Sequence, residues 1–138
     1  MPLTLAQAQA AIDGGLARAT ERGTPSCFAV VDSGGNLLAF AADETALLVC
    51  RELAIGKAYT SLLLRAPTVS LTEAVQPGGP FYGLGNALPG RPLVTFAGGQ
   101  PLGDPIIGAV GVSGGTLEDD EDISRAMVQA WSAAPGND

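Results

Sequence analysis

The sequence predicts an α+β fold in which helices pack against a mostly antiparallel sheet. Three observations lead there. Two pairs of short strand-like runs are each joined by a glycine-bearing turn. Three other stretches carry apolar residues at helical spacing. These elements follow one another as helix, hairpin, helix, long loop, hairpin, helix.

The first helix is expected to begin after Thr4, whose hydroxyl caps it while Gln7 answers three residues later. Leu5, Ala8, Ile12, Leu16 and Ala19 form one stripe, with Gln7, Asp13, Arg18 and Glu21 away from it. Gly23 stops this helix and Pro25 prevents a restart. Residues 27–32 and 37–41 are β-branched, aromatic and apolar runs around Ser33-Gly34-Gly35-Asn36, the pattern of a hairpin.

The second helix is expected over residues 45–64, ended by Ala66-Pro67, because the proline ring disfavours helix at the residue before it. It is apolar nearly all round, which places it in the core or at a subunit contact. On a wheel of about 100° per residue, Lys57 lies among Ala46, Cys50, Leu53, Ala54, Ser61 and Leu64, while Arg51 and Tyr59 point elsewhere. A cation is thus aimed where core should be.

Residues 76–91 hold five Gly and three Pro around Phe81, Tyr82 and Leu84, too irregular for a regular element and too apolar for a solvated linker. An ordered functional loop is expected. A strand over 93–97, a turn at Gly98-Gly99 and a strand over 106–112, announced by Gly103-Asp104-Pro105, make a second hairpin. Gly114-Gly115-Thr116 opens the last helix, with Glu118 to Asp122 set against the positive end of its dipole and Ile123, Ala126, Met127, Ala130 and Trp131 as its inner stripe. The tail 135–138 is expected to fray.

The 138 residues fit one domain spanning 1–138, with no internal linker. At 46% hydrophobic and 15% charged the chain is too apolar for disorder and poor in charge for an isolated monomer, so a homo-oligomer, a dimer or larger, is expected. A net charge of −7 repels polyanions and argues against nucleic acid as a partner. Residues 1–10 lack the basic and apolar regions of a signal peptide, and no run is long enough to span a bilayer, so a cytoplasmic protein with no membrane partner is expected. Cys27 and Cys50 match no metal or redox spacing and read as small buried hydrophobes. Histidine is absent, which removes the usual metal ligand, haem ligand and neutral-pH proton shuttle together. No metal site is expected, and any chemistry rests on Lys, Tyr, Cys, carboxylates or the backbone.

Three constellations can carry chemistry. Desolvation lowers the pKa of an amine, so Lys57 can serve as base, Schiff-base nucleophile or anion anchor; equally, it can extend its ammonium to solvent or pair with a carboxylate such as Glu52 or Glu73. The turn Gly111-Val-Ser-Gly-Gly-Thr116 can offer backbone N–H groups to an oxyanion or carboxylate, or be a tight turn that simply needs glycine. It lacks the spacing and lysine of a P-loop. Tyr82, between glycines, can donate a proton or orient a ligand, or can plug the core. The acidic run 118–122 lacks the spaced ligands and central glycine of an EF-hand, so capping is preferred to calcium.

Several blocks, namely Leu3-Thr-Leu-Ala-Gln-Ala8, Ala29-Val-Val-Asp-Ser-Gly-Gly-Asn-Leu-Leu-Ala-Phe40, Lys57-Ala-Tyr-Thr60, Gln76-Pro-Gly-Gly-Pro80, Tyr82-Gly-Leu84 and Gly108-Ala-Val-Gly-Val-Ser-Gly-Gly-Thr116, run in order from the first helix to the last. Together they resemble the GlcG/HbpS-like family, which includes haem-binding HbpS-like and PduO C-terminal-like domains. The resemblance implies a profilin-like or GAF-like sandwich with an antiparallel sheet of about five strands, assembled into homo-oligomers. It also implies a pocket around Lys57, Tyr82, Phe96, Gly98 and Gly99, with Gly114 and Gly115 nearby; Cys50, which the helical wheel sets on the face of Lys57, is counted with the ligand-binding candidates. Where the family carries an Arg-Met-Asp-Gly-Ala block this chain has Ala42-Asp-Glu-Thr-Ala46, and without histidine a haem would rely on Lys, Tyr, Cys or Met.

Three readings of function follow. The first is a small-molecule-binding or accessory catabolic protein holding an anionic or carbonyl ligand in a glycine-rich pocket at a subunit interface. The second is a cofactor-independent isomerase, tautomerase or lyase in which Lys57 or Tyr82 moves a proton. The third is haem binding without histidine ligation. No cofactor is expected under the first two.

Overall fold

The computed structural model describes residues 2–136, so residues 137 and 138 of the expected frayed tail lie outside it. Helix α1, Leu5–Arg22, starts at a capping box in which Thr4 and Gln7 exchange side-chain and backbone hydrogen bonds, and it ends at Gly23 in the left-handed conformation. Strands β1, Cys27–Asp32, and β2, Leu37–Ala42, form the first hairpin. Asp32 shapes its turn by accepting hydrogen bonds from the N–H groups of Gly34 and Asn36.

Helix α2 spans Val49–Leu64, four residues shorter at its start than the sequence suggests. The cause is local. The Asp43 carboxylate accepts from both the N–H and the hydroxyl of Thr45, and that side-chain turn competes with helix over 43–48. Strands β3, Gly99–Leu102, and β4, Gly108–Ser113, make the second hairpin, and α3, Leu117–Ala133, closes the chain.

The sheet is antiparallel, in the order β2-β1-β4-β3. It has four strands where the resemblance implied about five, and β3 at Gly99–Leu102 takes the place of the strand expected over 93–97. That β-branched segment is bound to side chains instead: Val94 N–H donates to Thr60 Oγ1, Thr95 O accepts from Thr72 and Phe96 O accepts from Thr68. Gly98-Gly99 is likewise no hairpin turn; Gly98, at φ 126°, steers the chain into β3.

Strand alternation splits the core between two faces. Phe28, Val30, Val110 and Val112 meet α1 and α3 on one side. Cys27, Ala29, Val31 and Ala109 meet Cys50, Ala54 and Ala58 of α2 on the other. Both cysteines are free and buried, and burial pushes the Cys27 thiol up, as suits an inert core position.

Glycine sets how closely the layers approach. A Cβ at Gly111 would overlap the Ala54 carbonyl oxygen and stand 2.6 Å from Ala58 N, so α2 lies directly on β4. On the other face, a Cβ at Gly15 would stand 2.8 Å from both Met127 and Phe28. That close contact rotates α1 from its expected stripe: Ala11 and Gly15 are buried, while Leu5 and Leu16 are exposed. No helix among the described residues is long and apolar enough to cross a membrane.

Candidate functional site

Small residues let α2 sit close to β4, and this position carries the Lys57 side chain past the end of the strand to α3. Its ammonium, 1% exposed, donates to Val112 O at 3.0 Å and to Asp120 Oδ2 at 2.9 Å, and lies 5.0 Å from the centroid of the Phe96 ring. The partner expected from sequence, Glu52 or Glu73, is not the one used. Asp120, read there as a dipole-capping residue, is buried and belongs to this site. Its position was legible: Asp120 falls one turn before Ile123 and Ser124 on the buried stripe of α3.

The glycines singled out from sequence enclose the pair. A Cβ at Gly98 would stand 2.9 Å from Lys57 Nζ, and one at Gly99 would stand 2.5 Å from Lys57 O. Gly115 N–H donates to Asp120 Oδ1 at 3.1 Å, with a further backbone hydrogen bond from Gly114. The turn thus binds a carboxylate, as its backbone donors suggested, and the carboxylate is the chain's own. Cys50 lies two helical turns before Lys57 in the α2 side of the core.

Burial governs both partners. It pulls the Lys57 amine below its ordinary value and pushes the Asp120 carboxyl above its own; the attraction between the two groups opposes both shifts without cancelling them. An ammonium already shared among a carbonyl, a carboxylate and a ring has little left to offer a ligand. The neighbouring cleft of about 360 Å³ holds Glu118, Glu121 and Asp122 against Arg125, a lining that disfavours anions.

Tyr82 is not brought to this cluster; it is 69% exposed on the loop before β3, beside an exposed Phe81. Neither aromatic plugs the core.

A second cavity, of about 370 Å³, opens on the α2 side of the sheet. Val31, Leu37, Ile55 and Val94 give it apolar walls, and Glu52, Tyr59 and Arg91 give it polar groups. The Arg91 guanidinium stands 4.0 Å from the Tyr59 ring centroid. Sequence reasoning missed Arg91, set Tyr59 aside as pointing away from Lys57, and named Glu52 only as a possible partner of Lys57. Among the described residues, no group of His, Cys, Asp and Glu is arranged to hold a metal ion.

Comparison with known proteins places this geometry in a family. Residues 3–129 match the model described as haem degrading protein HbpS-like. An uncharacterized 15.0 kDa protein from the dhaT-dhaS intergenic region of Citrobacter freundii is 40% identical over 132 residues, covering 94% of this chain and 92% of that protein. The crystal structure of Klebsiella pneumoniae protein ORFY superposes with a TM-score of 0.91 at 36% identity, covering 96% of this chain and 92% of that one. The crystal structure of a PduOC:heme complex gives 0.89 at 34%, covering 94% and 95%. The fold, the ordered motifs and these matches agree that the chain belongs to the HbpS-like family.

Proposed function

We propose that this chain is a small-molecule-binding accessory protein whose ligand sits in the cavity between α2 and the β1–β2 hairpin. One observation carries the reading: a cavity of about 370 Å³ with apolar walls and a few convergent polar groups, the usual make-up of a small-ligand site. A related domain crystallised as a haem complex supports small-molecule binding as a property within the family. Lys57 and Asp120 act in this reading as positioning residues: they tie α2 to β4 and α3, and α2 supplies one wall of the cavity.

A haem bound within one chain would have no imidazole ligand. Histidine is absent, and Cys27, Cys50, Lys57 and Met127 are buried. Tyr82, exposed, and Tyr59, half-buried on the cavity, are side chains of a type that ligates haem iron. The exposed run Leu47, Leu48 and Val49 at the start of α2 supports self-association.

Soaking the protein with a mixture of small organic acids, alcohols and amines while recording ¹H–¹⁵N spectra tests the reading. Shifts are expected at the amides of Gly35, Gly56 and Val94, which border the cavity. Shifts confined to the Gly98 and Gly115 amides would move the site to Lys57 and overturn it.

A further inference from the structure

We propose that the α2–hairpin cavity takes an aliphatic carboxylate with a hydrogen-bond donor on the adjacent carbon, a 2-hydroxy or 2-amino acid, held by Arg91 and Glu52. This rests on the reading that the cavity holds the ligand. It begins with Arg91. Its Cζ stands 4.0 Å from the Tyr59 ring centroid, and no ion pair or hydrogen bond of the guanidinium forms among the described residues, so its N–H donors are open to a ligand. Arg18, Arg22 and Arg125 each pair with carboxylates, while Arg51 and Arg65, exposed like Arg91, make no ion pair among the described residues; what sets Arg91 apart is its ring and its place on the cavity.

Arg91 is itself exposed, and what positions it is the ring against it and the backbone on either side. The Gly35 turn presses on the Tyr59 ring, so that a Cβ there would stand 3.2 Å from Cε1. The segment bearing Arg91 is tied down on both sides: Arg91 N–H donates to Leu88 O, Leu93 N–H to Gly85 O and Val94 N–H to Thr60 Oγ1. It lies so tightly on α2 that a Cβ at Gly56 would come 2.8 Å from Val94 Cγ2. A planar fork fixed by an aromatic ring is the arrangement that recognises a carboxylate through two parallel hydrogen bonds.

Glu52, also exposed, lines the same cavity, and its carboxylate makes no ion pair or hydrogen bond among the described residues. An ionised carboxylate only accepts, so it repels a second carboxylate and rewards a hydroxyl or ammonium. One cation and one acceptor in a single cavity therefore select a monoacid that also carries a donor. Leu37, Ile55 and Val94 then face the remainder of the ligand and favour an apolar chain there.

The test titrates 2-hydroxy-4-methylpentanoate and its 2-amino counterpart into the full chain, followed by ¹H–¹⁵N spectra. Two controls are the uncharged amide of the hydroxy acid and 4-methylpentanoate, which lacks the donor. Arg91→Met and the amide control are each expected to weaken binding about tenfold or more, the loss of one charged contact. Glu52→Gln should weaken both acids severalfold and leave 4-methylpentanoate unaffected. Tyr59→Leu should weaken binding by releasing Arg91, whereas Tyr59→Phe, which keeps the ring, should not. If acid and amide perturb the cavity amides with equal affinity, the carboxylate inference is overturned while the cavity reading stands. If neither acid shifts those amides in a folded protein, the inference is overturned; if no compound of any class shifts them, the cavity reading falls with it.

Discussion

Lys57 Nζ and Asp120 Oδ2 lie 2.9 Å apart in the centre of the molecule, with side chains 1% and 3% exposed, and they join the second helix to the third through the end of β4. Removing one member leaves the other charged, buried and unanswered. Lys57→Met or Asp120→Leu alone should cost about 3–5 kcal/mol, while the double variant should recover much of that loss, because an apolar pair carries no desolvation penalty. Urea unfolding of all four proteins measures this directly. Strictly additive losses in the double variant would show that the two side chains are not coupled.

Acid sensitivity should arise at the surface and not at this pair. The hydrogen bond from Arg18, reinforced by Arg22, holds the Asp122 carboxyl below its ordinary 3.8, and Arg22 does the same for Asp119. A lowered carboxylate contributes stability that is complete above 3.8 and lost as pH falls through the lowered value. Asp120 is shifted upward, chiefly by burial, so its own contribution runs the other way, falling as pH rises from 3.8 toward the raised value. Asp122→Asn should therefore flatten the acid limb of a pH–stability curve. An unchanged limb in that variant would place the acid-labile group elsewhere.

Close layer packing predicts unequal costs among glycines. Gly111→Ala would push a methyl into the Ala54 carbonyl, and neither backbone can yield without parting α2 from β4, so overpacking of about 1–3 kcal/mol is expected. At Gly78 a Cβ meets nothing within 4 Å, and only the positive φ of 86° opposes alanine. Thermal unfolding should rank Gly78→Ala well above Gly111→Ala in stability. The reverse order would mean that α2 is free to lift from the sheet.

How far the sequence foretold these features depends on whether neighbours along the chain or across space decide them. The capping boxes at Thr4 and Thr116, the Asp32 turn and the first hairpin are local chemistry, and they stand where the residues suggest. Lys57 on an apolar stripe announced that it needed company, and the family resemblance named Phe96, Gly98, Gly99 and the Gly114-Gly115 turn as neighbours. The carboxylate that answers Lys57 could not be named, since the choice among Asp120, Glu52 and Glu73 depends on how the third helix meets the second. The missing strand has the same origin. Residues 93–97 have strand-forming side chains, yet hydroxyls of Thr60, Thr68 and Thr72, remote in sequence, take the hydrogen bonds a neighbouring strand would take. Arg91 escaped notice because its partner is a ring that the helical wheel alone turns away from the core.

Those threonines lead to the last prediction. Thr60 Oγ1 donates to Gly56 O and accepts from Val94 N–H at 2.8 Å, so it is the link between α2 and the segment that carries Arg91. Valine has nearly the same shape without the hydroxyl, and it leaves the Val94 amide without its acceptor at a cost of about 1–3 kcal/mol. The loss should be local before it is global. Hydrogen exchange at Val94 should accelerate in Thr60→Val while amides of β1 and β4 keep their protection, and any ligand read by Arg91 should bind more weakly, because the cavity wall bearing that guanidinium is no longer tied to the helix. Retained protection at Val94 would mean that the segment is fixed by packing alone, and that the threonine is incidental to the site.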